Sequence, residues 1–166
     1  MNISNGVNKN LVLFLIFIFI FLSLVILFFL KVKTNIFDQQ SNKKGQSIFI
    51  IKINNINLEV EVAETFKEKA QGLSGRERIL DNQGMLFVFK TPGRYPFWMK
   101  GMKFPIDIIW LDKDLKIVEI NKEVQPESFP ELLRPSTPIQ YVLEVKNGWV
   151  DEYSVKQGDQ CSLINY

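Results

Sequence analysis

Hydrophobic positions fall into two regimes along the chain. From Leu11 to Leu30 every residue except Ser23 is apolar, whereas beyond Ile48 apolar and polar residues alternate in short runs. A helix rises about 1.5 Å per residue, so twenty such residues reach about 30 Å, the hydrocarbon thickness of a bilayer. The block therefore predicts a single N-terminal transmembrane helix over residues 11–30, behind a tail over residues 1–10. A cleaved signal peptide is the competing reading. Its apolar region is shorter and ends at a small-x-small site, whereas Lys31, Val32, Lys33 and Thr34 follow here, which favours an uncleaved anchor. Residues 31–46, rich in Lys, Asn, Gln and Ser, read as a polar linker.

From residue 47 to 166 the pattern is that of a mainly β domain. Residues 48–53 are β-branched and aromatic, Asn54 and Asn55 supply a turn, and residues 56–62 set Ile56, Leu58, Val60 and Val62 against Asn57, Glu59 and Glu61. That is a hairpin with one wet face. Residues 63–72 hold good helix formers that Gly72 can end, and a second short helix is expected over residues 149–155. Further strands are expected at residues 84–89, 96–99, 106–111, 116–121, 140–145 and 160–164, with a hairpin turn at residues 112–114. Eight short strands and one or two short helices predict an antiparallel β-sandwich or barrel-like domain (mainly β, α+β) rather than a parallel α/β sheet. Residues 122–138, with four Pro, read as a long irregular loop.

Composition sharpens this division. The whole chain is 46% hydrophobic, but outside the block the fraction is about 39%, ordinary for a soluble domain. Charge divides as well: the net +2 places 15 basic and 17 acidic residues within 46–166, so the domain is mildly acidic and lacks the footprint of a nucleic-acid binder. Lys9 stands on one flank of the block and Lys31, Lys33, Lys43 and Lys44 on the other. The positive-inside rule would keep the domain in the cytoplasm, while the use of a lone N-terminal apolar segment for export points to an extracytoplasmic domain, which is the preferred reading.

The chain has no His and one Cys, Cys161. Ser-His-Asp and Cys-His catalysis, His-ligated metals, internal disulfides and CxxC motifs are thereby excluded. No metal or cofactor is expected, and Cys161 reads as a buried, inert thiol. Site chemistry is left to carboxylates, Arg and Lys.

Four motifs carry a family likeness. They are Gln71-Gly72-Leu73-Ser74-Gly75-Arg76, then Gly84-Met85-Leu86-Phe87-Val88-Phe89, then Phe97-Trp98-Met99-Lys100-Gly101-Met102-Lys103-Phe104-Pro105-Ile106-Asp107-Ile108, and last Tyr141-Val142-Leu143-Glu144-Val145-Lys146-Asn147-Gly148, followed by Gly158-Asp159. Over about residues 56–163 the chain resembles domain-of-unknown-function family 192, an uncharacterised ancient conserved family. The resemblance implies a mainly β, sandwich-like fold with a short helix after the second strand, and no established reaction. This chain has Ser74 where the family usually has Met, and Gly101 where it usually has Asn.

Strand alternation singles out two acids. Asp107 shares a face with Ile109 and Leu111, and Glu144 is in phase with Val142. A carboxylate on an apolar face costs several kcal/mol unless a cation or several donors meet it, and Arg76 and Lys100 are the expected partners. Three readings are open. The four charged residues form structural ion pairs; or Arg76, Trp98, Met99 and Lys100 line a site for a small anionic or carbohydrate ligand; or Asp107 and Glu144 act as an acid and base pair in a hydrolase or lyase, for example on carbohydrate. The function expected is a non-enzymatic ligand- or partner-binding accessory domain at the cell envelope, tied to the lipid bilayer through residues 11–30, with no nucleic acid and no identifiable protein partner.

Overall fold

A computed structural model describes residues 18, 20–28, 31 and 48–164 of the chain. It divides into two units, Met1–Gly45 and Gln46–Tyr166. Within the apolar block, residues 18 and 20–28 are helical. The rest of the expected span, the N-terminal tail and nearly all of the linker lie outside the described residues. Among the described residues no helix is long and apolar enough to cross a membrane.

The second unit is built on one seven-stranded sheet. Its strands are β1 (Ile48–Ile53), β2 (Ile56–Ala63), β3 (Gln83–Gly93), β4 (Ile106–Leu111), β5 (Ile117–Val124), β6 (Ile139–Lys146) and β7 (Cys161–Ile164). Their spatial order is β5-β4-β6-β3-β2-β1-β7. Two short helices complete the set, α1 (Phe66–Gln71) and α2 (Trp149–Glu152).

Three expectations are corrected. The sheet is mixed rather than wholly antiparallel, because β2 and β3 pair in parallel, Glu61 opposite Met85. The crossover between them carries α1, which a two-residue turn between parallel neighbours would not allow. Two stacked sheets are replaced by one sheet that curls. All seven strands, including both edges, send side chains into a single core cluster, from Ile51 and Cys161 to Ile117 and Leu143, and Trp149 and Val150 of α2 fill it. The two outermost strands also approach at one end, where Lys116 bridges to Gln160 and the Cys161 amide donates to the Leu115 carbonyl at 2.9 Å. Finally, residues 96–99 form no strand: Phe97 makes one isolated bridge to Leu133.

Local chemistry explains the elements. The Asn54–Asn55 turn closes the β1–β2 hairpin with Ile53 opposite Ile56, and Asn54 takes the positive φ, 54°, that such a turn needs. Helix α1 starts later than expected because Thr65 caps it. The Glu68 amide donates to the Thr65 hydroxyl, and the Thr65 amide donates back to the Glu68 carboxylate. Gly72 ends it in a backbone conformation, φ 50° and ψ −134°, that a side chain would resist. Asp112 accepts from the amides of Asp114 and Lys116, fixing the predicted turn. Strand β5 extends further than expected, to Val124, so the irregular stretch before β6 is shorter.

Both faces of the middle strands are covered, so every residue of β4 is buried. A second cluster, including Ile106, Ile108, Trp110, Val142, Met85 and Phe87, occupies the other face, and Leu73, Phe97 and Met99 from the connecting segments pack on it. It is on this second face that a pocket opens.

Candidate functional site

Register decides where the two acids go. In the β4–β6 pair Asp107 stands opposite Val145 and Ile108 opposite Glu144. Residues directly opposite share a face, so Asp107 points to the cluster of Ile109 and Val145, and Glu144 points to that of Ile108 and Val142. The two carboxylates lie on opposite faces of one sheet. The acid–base pair, one of the three readings left open by the sequence, is not assembled.

Asp107 is fully buried and held by backbone amides, not by Arg76 or Lys100. Its Oδ1 accepts from the Glu123 amide at 2.9 Å and its Oδ2 from the Val150 amide at 3.0 Å. Both donors need it. Between Ile106↔Val124 and Ile108↔Asn121 the register shifts, so β5 carries an extra residue there, and Glu123 has a φ of 53°. The amide freed by that bulge finds its acceptor in Asp107. Val150 lies in the first turn of α2, whose N-cap, Gly148, has no side chain to offer. Asp107 supplies the missing cap from the sheet. The residue is a structural staple.

Glu144 is different. It lies in a row across the second face, formed by Glu61 on β2, Met85 on β3, Glu144 on β6 and Ile108 on β4. It is 6% exposed, and its Oε2 has no hydrogen-bond partner. Burial pushes its carboxyl up to about 8, against the pull of the Arg76 guanidinium, which favours the charged form. Arg76 itself is committed elsewhere: its two terminal nitrogens donate to both oxygens of Glu61 at 2.7 and 2.6 Å, and that fork raises its pKa further. The sequence placed Glu61 on the wet face of a hairpin. Nothing local signals that Arg76 lies over that face, because the two meet only through the crossover.

Above Glu144 opens a pocket of about 450 Å³. Helix α1 and residues 72–74 form one wall, the segment from Tyr95 to Trp98 with Met102 the other, and Phe87, Phe89 and Glu144 of the sheet the floor. The lining is largely aromatic. Phe89 stacks on Tyr95 with centroids 3.7 Å apart, Phe87 meets Phe97 edge-on at 4.9 Å, and Lys69 holds its ammonium 4.7 Å from the Phe89 centroid. Gly72 keeps the floor accessible. A Cβ there would sit 3.3 Å from Phe87 Cζ and 3.9 Å from Glu144 Oε2.

The other residues named from the sequence divide between pocket and core. Trp98 lines the pocket and is 41% exposed, while Met99 is buried in the core and outside the lining. Lys100 is exposed and contributes through its backbone, whose carbonyl accepts from Ser74 Oγ at 2.7 Å. The two positions where the chain departs from the resembled family touch each other. Gly101 takes a φ of 70°, and a Cβ on it would lie 3.4 Å from the Cβ of Ser74. Cys161 is buried, and burial pushes its thiol up to about 12. Among the described residues no group of three or more acids and Cys is placed to hold a metal ion.

Comparison with known proteins follows the same outline. The family model DUF192, Uncharacterized ACR, matches residues 49–163. A crystal structure of a Sinorhizobium meliloti protein proposed to be a transcription regulator is 27% identical with a TM-score of 0.67, covering 71% of this chain and 95% of its own. A Novosphingobium aromaticivorans protein of unknown function is 28% identical with a TM-score of 0.68, covering 72% of this chain and 87% of its own. No curated protein matches the sequence.

Proposed function

The chain belongs to the DUF192 family, and from that membership, which carries a fold but no reaction, we propose that it is a binding module rather than an enzyme, holding a small, mainly apolar molecule in the pocket above Glu144. The pocket itself carries the reading: an open cavity of about 450 Å³ with aromatic walls and one buried, unpartnered carboxyl in its floor. Apolar concave walls with few convergent polar groups are how small-ligand sites are built. An anionic or carbohydrate ligand fits less well, because Arg76 is committed to Glu61 and Lys100 lies outside the lining. A hydrolase or lyase using Asp107 with Glu144 finds no support in their opposed faces. Nucleic acid is not proposed either, given 17 acidic against 15 basic residues in 46–166.

Titration of the full chain in lipid nanodiscs with butylbenzene, followed by the amide shifts of Gly72 and Ser74 against empty nanodiscs as the partition blank, tests the reading. Saturable shifts are expected, and Ala70→Phe, which fills the pocket from α1, is expected to abolish them. Shifts that never saturate, or that survive Ala70→Phe, would overturn the proposal.

The same reading attaches the module to a membrane through residues 11–30, with the domain on the extracytoplasmic side. Its support is the length and apolarity of the block. Because Cys161 is buried with a raised pKa, the native chain is expected to resist maleimide. Orientation is then read from Ser41→Cys in intact cells with a membrane-impermeant maleimide. Labelling without permeabilisation is expected, and labelling only after permeabilisation would reverse the orientation.

A further inference from the structure

Glu144 poses a chemical question that an empty apolar pocket leaves unanswered. Its Oε2 is buried without a hydrogen-bond partner, and a buried polar atom so left costs about 1–3 kcal/mol. Glu144 nonetheless lines the pocket and is 6% exposed, and Gly72, which has no Cβ, adds no further cover over its carboxyl. The carboxyl is thus within reach of something that enters the pocket.

Resting on the binding reading above, we propose that the ligand is a neutral molecule, apolar through most of its body and bearing a carbonyl oxygen that accepts a hydrogen bond from the Glu144 carboxyl. The charged surroundings favour this class over an organic cation. The cations near the floor and wall are Arg76, whose charge acts on Glu144, and Lys69, on α1; the only other acid in the row is Glu61 on β2, which already holds Arg76. Strands β3 and β4 present Met85, Phe87 and Ile108, none of which titrates. An ammonium ligand would meet two cations in the same low-dielectric site, and Lys69 already occupies a face of Phe89 whose other side is stacked on Tyr95. An anionic ligand would require Arg76 to leave a bidentate pair. A neutral acceptor requires neither change. The proton stays on Glu144 and is shared, so no charge enters the pocket. Burial keeps the carboxyl protonated at neutral pH, which is the form able to donate.

Three probes of one skeleton separate the classes: butylbenzene without a polar group, benzylacetone with a ketone, and phenylbutylammonium with a cation. In the nanodisc titration at pH 6.5, benzylacetone is expected to bind about three- to tenfold more tightly than butylbenzene after partition correction, the effect of one hydrogen bond. That preference is expected to fade above about pH 8 as Glu144 ionises. Glu144→Gln retains a donor and should keep a preference that no longer changes with pH, while Glu144→Leu should bind both probes alike. The wild-type pH series stands alone if a variant does not fold. Tighter binding of phenylbutylammonium, rising with pH, would overturn the carbonyl proposal in favour of an ionised Glu144. Equal binding of ketone and hydrocarbon by the wild type would remove Glu144 as the anchor and leave the binding reading standing. Failure of all three probes to bind would sink the binding reading itself.

Discussion

Asp107→Ala is expected to destabilise the domain by roughly 3–5 kcal/mol, among the larger effects of a single substitution. The loss has two parts. The Val150 amide is buried and the Glu123 amide is partly buried, and each loses a carboxylate acceptor when Asp107 is truncated. Each stranded donor costs about 1–3 kcal/mol. A further contribution comes from α2, a four-residue helix whose Gly148 N-cap offers no side chain, so that Asp107 caps its first turn from the sheet, beside the Lys122–Asp151 ion pair and the packing of Trp149 and Val150. For a domain of about 120 residues the melting temperature should fall by about 10–20 °C. Hydrogen exchange supplies the local check: the Val150 and Glu123 amides should lose protection more than those of β1 and β2. Asp107→Asn, which keeps one acceptor oxygen but turns an amino group towards the second donor, should fall between wild type and Ala. A loss under about 1 kcal/mol for Asp107→Ala would remove the staple. The same result would reopen the question of what an acid does at the centre of an apolar strand.

Glu144 should make the fold weaker as pH rises. Its carboxyl has a folded pKa of about 8 against 4.5 when unfolded, so between these values the folded state binds a proton that the unfolded state has released. Stability therefore falls as pH increases through that window, by about 1.4 kcal/mol per unit, and on the order of 5 kcal/mol in all. Below about pH 4.5 and above about pH 8 this contribution is flat. Other carboxylates titrate in the acidic part of the same range, so the measurement is a difference between wild type and Glu144→Gln in denaturant titrations from pH 5 to 9. The Gln variant should gain relative stability steadily with pH and exceed the wild type at pH 9. A constant difference would mean that Glu144 ionises like an exposed acid and that the pocket floor is wet. A buried acid held in a destabilising state is a cost that packing alone does not require. It is consistent with a group kept for a ligand rather than for the fold.

The comparison of Asp107 with Glu144 also measures what was legible in the sequence. Alternation along β4 and β6 assigned each acid correctly to the face of its own neighbours, Asp107 with Ile109 and Leu111, Glu144 with Val142. Which face of β4 coincides with which face of β6 depends on their register, and a slip of one residue exchanges the faces. That register is fixed by contacts between residues thirty to forty positions apart, for which the local pattern carries no signal. The same holds for partners. Arg76 was expected to meet Asp107 or Glu144, yet the nearest good geometry is the bidentate fork to Glu61, which sits across a parallel crossover that the short helix after β2 did not reveal. Met99 and Lys100 flank Trp98 in sequence, but one residue turns into the core and another to solvent, leaving Trp98 alone of the three on the pocket.

By itself the sequence determined what is local or compositional. It separated an apolar block from a mildly acidic β domain, placed five of the seven strands to within one residue and the other two, β3 and β5, by their starts, located the turn at Asp112 and the helix stop at Gly72, and excluded His and paired-Cys chemistry. Hydrophobic period, turn residues and residue inventory are properties of neighbouring positions, and no folding is needed to read them. The tertiary structure alone decided that the strands form one curled sheet with a parallel pair, that Asp107 is bound by two backbone amides, and that Glu144 stands unpartnered beneath an aromatic pocket. Each of these depends on which distant segments meet. Two acids of the same type, on strands of the same kind, thus became a staple and a candidate ligand anchor through register and burial alone.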